Sequence, residues 1–145
     1  MLSATGATAE VRVRELPAGT GALSLAELAT HLRQTRTEPG RRRLVLDFLG
    51  RYADSDAARR AALLLSQPSA AGDPRWDALL GALAEHLAFH DAVDAPDWCT
   101  EPDRFLDHPW FWVDLPSVRR RARTGAPTAF RRRNVWIDRA DLERV

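Results

Sequence analysis

The sequence predicts a mainly α-helical fold, a compact multi-helix domain whose C-terminal half is irregular and rich in aromatics and proline, with one short β element. Three observations predict it. Apolar stripes at helical spacing recur between residues 24 and 91. The stretch "APDWCTEPDRFLDHPWFW", residues 95–112, is dense in Pro, Asp and rings, which suits short helical turns and irregular chain more than strands. The chain of 145 residues is 45% hydrophobic and 28% charged, values that suit one ordinary core rather than wholesale disorder.

Residues 1–22 read as a flexible N-terminal arm and 23–145 as a single helical domain. Within the arm, "EVRVREL" alternates Val11 and Val13 with Arg12 and Arg14, the pattern of an edge strand or of a segment that orders on a partner. Ser24 and Glu27 have capping-box spacing, and Leu25, Leu28 and Leu32 form a stripe, so a helix is expected over 24–37 before "EPG" ends it. Leu44, Val45, Phe48, Leu49 and Tyr52 line one face of a second helix, 41–53. "SDAARRAALLLSQP" opens on Asp54 or Ser55 as a cap and closes before Pro68, giving a third helix over 55–66. Asp73 caps and Pro74 starts the clearest element, 74–91, with Trp76, Leu79, Leu80, Leu83 and Leu87 in its stripe. Beyond the irregular stretch, "PSVRRRARTG" reads as a short basic helix, "PTAFRRRN" as a turn, "VWI" as a short strand and "RADLERV" as a closing helical turn.

The net charge of +1 exerts no global pull toward nucleic acid or membrane, so electrostatic function must come from local patterning. All 21 basic residues are Arg, which together with abundant Ala suggests a high-GC bacterial genome. From Asp73 to Asp114 there are ten acids against Arg75 and Arg104, whereas 115–134 holds seven arginines and no acid. The two segments either neutralise each other within the fold or each face a partner. Cys99 is alone, which excludes an internal disulfide, and no apolar run of membrane-spanning length or charged-then-apolar leader is evident. A cytoplasmic location is expected, with no membrane partner.

Catalytic patterns are sparse. His86 and His90 stand at i and i+4, where two imidazoles can share a metal with Asp91 or Asp94, but a Glu directly after the first His is missing, and the pair borders the core stripe. Structural histidines, no metal and no cofactor are expected. Cys99 reads as a small buried residue rather than a nucleophile activated by His108. Carboxylate pairs such as Glu101 and Asp103 arise by chance in so acidic a stretch, and no phosphate-binding glycine loop or nucleophile elbow occurs. The expectation is a protein that is not an enzyme.

Binding is the better-supported chemistry. "FLDHPWFWVDLPSVRRRARTGAP", residues 105–127, sets aromatic rings beside arginines. Core is the default for Trp76, Trp98, Trp110 and Trp112, with Phe105 and Phe111. Trp110, Phe111 and Trp112 are consecutive, however, so on most backbones one of them points outward as an anchor. Trp110 and Trp112 with Arg119, Arg120, Arg121, Arg131, Arg132 and Arg133 are therefore the expected partner-binding residues. Arginine clusters near Phe130 and Trp136 also suit phosphate contact and base stacking, which makes a DNA-binding regulator using this Arg-rich region the alternative. "LSLAELATHLRQTRTEP" matches the first half of a helix-turn-helix, with Glu38-Pro39-Gly40 falling where the recognition helix should run.

From "GDPRWDALLGALAEHLAFH" through "PDWCTEPDRFLDHPWFW" to "TAFRRRNVWIDRADLERV", the second half resembles a domain of actinobacterial antitoxin or transcriptional-regulator-like proteins that accompany nucleotidyltransferase-like toxins. The resemblance covers residues 72–145 well and 41–66 loosely. It implies an antitoxin that binds and neutralises a cognate toxin protein, with a homo-oligomer as a further assembly; it carries over no functional residues. Fuller members bear a helix-turn-helix in front, and this chain departs from them there.

Overall fold

Ser24 starts the first helix with a reciprocal cap. Its Oγ accepts from the Glu27 amide at 3.1 Å and its own amide donates to Glu27 Oε1 at 2.8 Å, satisfying two amides that a helix start otherwise leaves without partners. The computed structural model describes residues 23–143, so the arm expected over 1–22, with its edge strand, lies outside the described residues. From the cap, α1 runs Leu25–Gln34 and buries Leu25, Leu28, Ala29 and Leu32.

The break after α1 is shorter than expected. Only residues 35–37 separate it from α2, Glu38–Ala53, so the "EPG" taken as a helix stop is the first turn of the next helix. Thr37 caps it by accepting from the Gly40 amide at 3.2 Å. Pro39 suits a first turn because the amide it lacks has no helical partner there. Gly40 is required by crowding, since a Cβ would lie 2.8 Å from Thr37 Oγ1 and 2.9 Å from Thr35 Cγ2. The helix buries Val45, Phe48, Leu49 and Tyr52 of the expected stripe, with Leu44 partly buried. α3, Ala57–Leu65, is capped by Asp56 rather than Asp54 or Ser55.

α4, Pro74–His90, is the axis of the fold. Asp73 caps it as expected, and an unbroken run from Ala78 to Ala84 is buried because other elements cover it on all sides. α1 and α3 pack on it from the N-terminal half, and two 3-10 turns (Asp97–Thr100 and Pro102–Arg104) and later elements pack on it from the C-terminal half. The Trp98 indole N–H donates to Leu64 O at 3.1 Å, tying the irregular stretch to the end of α3.

The β element is a pair. β1, Trp110–Phe111, runs parallel to β2, Val135–Trp136, with Trp110 opposite Val135 and Phe111 opposite Trp136. The "VWI" strand is present, and its partner lies in the aromatic stretch read as irregular. The crossover between them carries α5, Pro116–Gly125, and α6, Thr128–Arg131; α7, Arg139–Leu142, follows β2. No helix among the described residues is long and apolar enough to cross a membrane.

Candidate functional site

Strand geometry decides the fate of the three consecutive rings. Side chains alternate along a strand, so Trp110 and Trp112 share one side, where both meet Trp76 edge-on with centroids 5.0 and 5.9 Å away. Phe111 takes the other side, stacked on Trp136 at 6.3 Å and roofed by the guanidinium groups of Arg119 at 4.2 Å and Arg123 at 5.2 Å. None of the three projects as an anchor. Trp112 is only 5% exposed, and the half-buried Trp110 carries Arg75 over its ring at 5.4 Å.

The C-terminal arginines are largely engaged within the chain. Arg119 pairs with Asp114 at 3.4 Å, Arg121 with Asp138 at 3.6 Å and Arg132 with Glu85 at 3.2 Å. Arg131 donates to Ala126 O at 3.2 Å and lies over Trp136. Arg133 is 0% exposed, donating to Glu85 Oε1 at 2.6 Å, Ala129 O at 2.8 Å and Cys99 O at 2.7 Å. Arg133 and Trp112 thus have no surface to offer a partner, because both are consumed in joining the irregular half to α4. Arg120 is exposed and has no intrachain partner among the described residues.

A second buried arginine escaped the sequence reading. Arg104, 3% exposed, donates to Pro68 O at 3.0 Å and Asp77 O at 3.3 Å and lies over Trp98 at 4.9 Å. Its signal was its isolation, with Arg75, in the acidic stretch. Both buried arginines converge on Gly81 in mid-α4: a Cβ there would meet Arg104 Cβ at 3.0 Å, Arg133 Nε at 3.2 Å and Cys99 O at 3.2 Å. Cys99 itself is buried, and desolvation pushes its thiol up, away from the thiolate a nucleophile requires.

The open feature is a groove of about 630 Å³ between the end of α4 and the start of α6. Glu85, His86, Phe89 and His90 form one wall, and Pro127, Thr128, Ala129 and Arg139 contribute to the other. The rim is apolar and raised, with Phe89 78% and Val93 43% exposed. What raises it is the way α4 ends. The Val93 amide donates to Ala88 O at 3.0 Å and the Ala92 amide to Phe89 O at 3.2 Å, with Ala92 at φ 57°. Glycine usually takes this left-handed position at a helix end. An alanine there costs roughly 1 kcal/mol.

His86 and His90 lie inside this groove with ring centroids 4.4 Å apart and planes at 72°. Burial, reinforced by His90 and Arg139, lowers His86 to about 4, so it is neutral near pH 7. Among the described residues no group of three His, Cys, Asp or Glu side chains is placed to hold a metal ion. The groove is therefore a mainly apolar slot lined by the neutral His86, by one cation, Arg139, and by two carboxylates, Glu85 and Asp94. No protein-family model, no curated protein and no solved structure matches the chain.

Proposed function

We propose that this chain is a binding protein of the antitoxin kind, which neutralises a cognate toxin enzyme, nucleotidyltransferase-like in class, by seating a segment of that enzyme in the groove at the end of α4. The observation that carries the reading is Phe89, a large ring 78% exposed on the rim of a groove of about 630 Å³. A single ring so exposed beside a slot has the form of an interface anchor. The left-handed Ala92 supports it, since backbone strain persists where a function retains it. Arg139 on the wall supplies a cation to engage acidic groups of the enzyme. The pairing of ring and arginine expected of residues 105–127 is thereby relocated to Phe89 and its neighbours. Use of the Arg-rich region on DNA is less well supported, because most of those arginines are occupied within the chain.

The test is neutralisation. The tagged protein is recovered from its native host, co-purifying enzymes are identified, and nucleotidyl transfer by each is assayed with and without stoichiometric antitoxin. Phe89→Asp is expected to weaken suppression by about 30-fold, corresponding to about 2 kcal/mol at an interface hot spot. If no recovered enzyme is suppressed, or if Phe89→Asp suppresses as well as the parent, the reading fails.

A further inference from the structure

Arginines without partners among the described residues identify a second surface, at the opposite end of the sequence from the Arg-rich region. Residues 33–43 contain Arg33, Arg36, Arg41, Arg42 and Arg43 against a single acid, Glu38. That acid is already neutralised, by Arg75 at 3.0 Å and Arg41 at 3.7 Å. Arg41 is turned inward, donating to Leu32 O at 3.3 Å and lying over Trp76 at 5.9 Å, and so fixes α2 against α1 and α4. Arg33 donates to Ala70 O at 3.1 Å. Arg36, Arg42 and Arg43 have no hydrogen bond, ion pair or ring contact among the described residues, and Arg36 and Arg43 are exposed. Farther along α2, Asp47 is held by Arg51 at 3.0 Å, so among the described residues the positive charge at the start of α2 is left uncompensated.

The backbone beneath these arginines is a helix, a three-residue turn and a second helix, α1, 35–37 and α2. That is the connection length of a helix-turn-helix, whose second helix presents its N-terminal residues to the major groove. The "EPG" that argued against such a unit in the sequence lies inside its second helix. Arg36 occupies the turn, and Arg42 and Arg43 follow about 6–8 Å along the axis of α2 at 1.5 Å per residue.

We propose that α1 and α2 form a duplex-DNA-binding surface in which Arg36, Arg42 and Arg43 contact backbone phosphates. The surface is separate from the groove at the end of α4, so one chain can hold a partner enzyme and a duplex through different residues. Charge complementarity selects the occupant. Three uncompensated guanidinium groups on a helix-turn-helix frame fit a regular line of phosphates, and phosphate contact fixes position on the duplex without reading sequence.

The experiment uses the full chain and a fluorescein-labelled 24-base-pair duplex of mixed sequence, with anisotropy read against salt. Three phosphate contacts predict a log–log salt slope of about −2.7, or roughly a 40-fold loss of affinity between 50 and 200 mM salt. R36A/R42A/R43A is expected to lose at least about 10-fold at 50 mM salt, R36K/R42K/R43K to stay within about 3-fold, and R119A/R120A/R121A to bind like the parent. Circular dichroism on each variant establishes that it is folded; the Lys triple and the single change Arg43→Glu, expected to cost about 5-fold, carry the test if the Ala triple is not. The proposal is overturned if the parent fails to bind duplex at 50 mM salt, if the α1–α2 variants bind like the parent, if the α5 variant loses binding instead, or if these arginines hold an acidic protein while duplex is ignored.

Discussion

Arg119, Arg121, Arg132 and Arg133 each rest on an acid of their own chain, whereas Arg36, Arg42 and Arg43 rest on nothing among the described residues. Both regions are arginine-rich in sequence, and the C-terminal one is the more conspicuous. The difference between them lies in what folds beside each. Residues 115–134 return against the acidic stretch that includes Glu85 and Asp114 and meet rings that accept cations on their faces. Residues 33–43 meet one acid already held by two arginines. Density of charge along a chain therefore does not reveal which charge remains for a partner.

The sharpest way to break the comparison is Arg133→Ala. Removing the guanidinium leaves Ala129 O and Cys99 O without this donor in the interior and Glu85 with Arg132 alone, so a loss of about 3–5 kcal/mol is expected in chemical denaturation. A loss below about 1 kcal/mol would place Arg133 among the dispensable arginines and erase the contrast. Gly81→Ala is expected to cost about 1–3 kcal/mol, although Ala is the better helix former, because the new Cβ presses on two buried arginines and a carbonyl. Stabilisation by that substitution would mean that the arginine layer yields easily.

A smaller effect concerns pH. His86 titrates at about 4 in the fold against 6.5 in the unfolded chain, so on acidification the unfolded state takes up the proton first. Stability present above about pH 6.5 is lost as pH falls toward about 4, by on the order of 1 kcal/mol once solvent screening of this partly exposed ring is allowed for. His86→Gln is expected to remove that share of the pH dependence; identical profiles for parent and variant would contradict it. The smallest effect is expected at the free arginines. Arg42→Ala and Arg43→Ala should each change stability by less than about 0.5 kcal/mol, and a larger loss in thermal or chemical melts would reveal a contact that makes them structural after all.

Much of the helical half was legible. Ser24 with Glu27, and Asp73 with Pro74, are signals within one turn, and the stripes of α2 and α4 bury apart from Leu44 and Leu87, which are partly buried. "EPG" misled because Pro and Gly punctuate helix starts as well as ends, and the deciding fact, the Thr37 cap, competes with nothing visible in composition. In the irregular half, the strand partner of Val135 and Trp136 was hidden, since a two-residue parallel pair leaves no periodicity to read. Trp112 and Arg133 were misassigned to the surface for the same reason. The groove was half legible: His86 and His90 drew notice, but nothing local distinguished Phe89 from the buried rings.

What the sequence determined by itself is the caps at Ser24 and Asp73, which face each helix buries and that acid and base are segregated along the chain. These follow from hydrogen bonds three or four residues long and from a fixed angular step per residue, so they need no distant partner. Which arginine is buried, which is paired and which is free was decided only by the tertiary structure. Arg133 reaches Glu85 across 48 residues and the Cys99 carbonyl across 34. Whether a guanidinium is desolvated and bonded or left facing water depends on which acids and carbonyls those long crossings bring within about 3 Å, a condition no local pattern encodes.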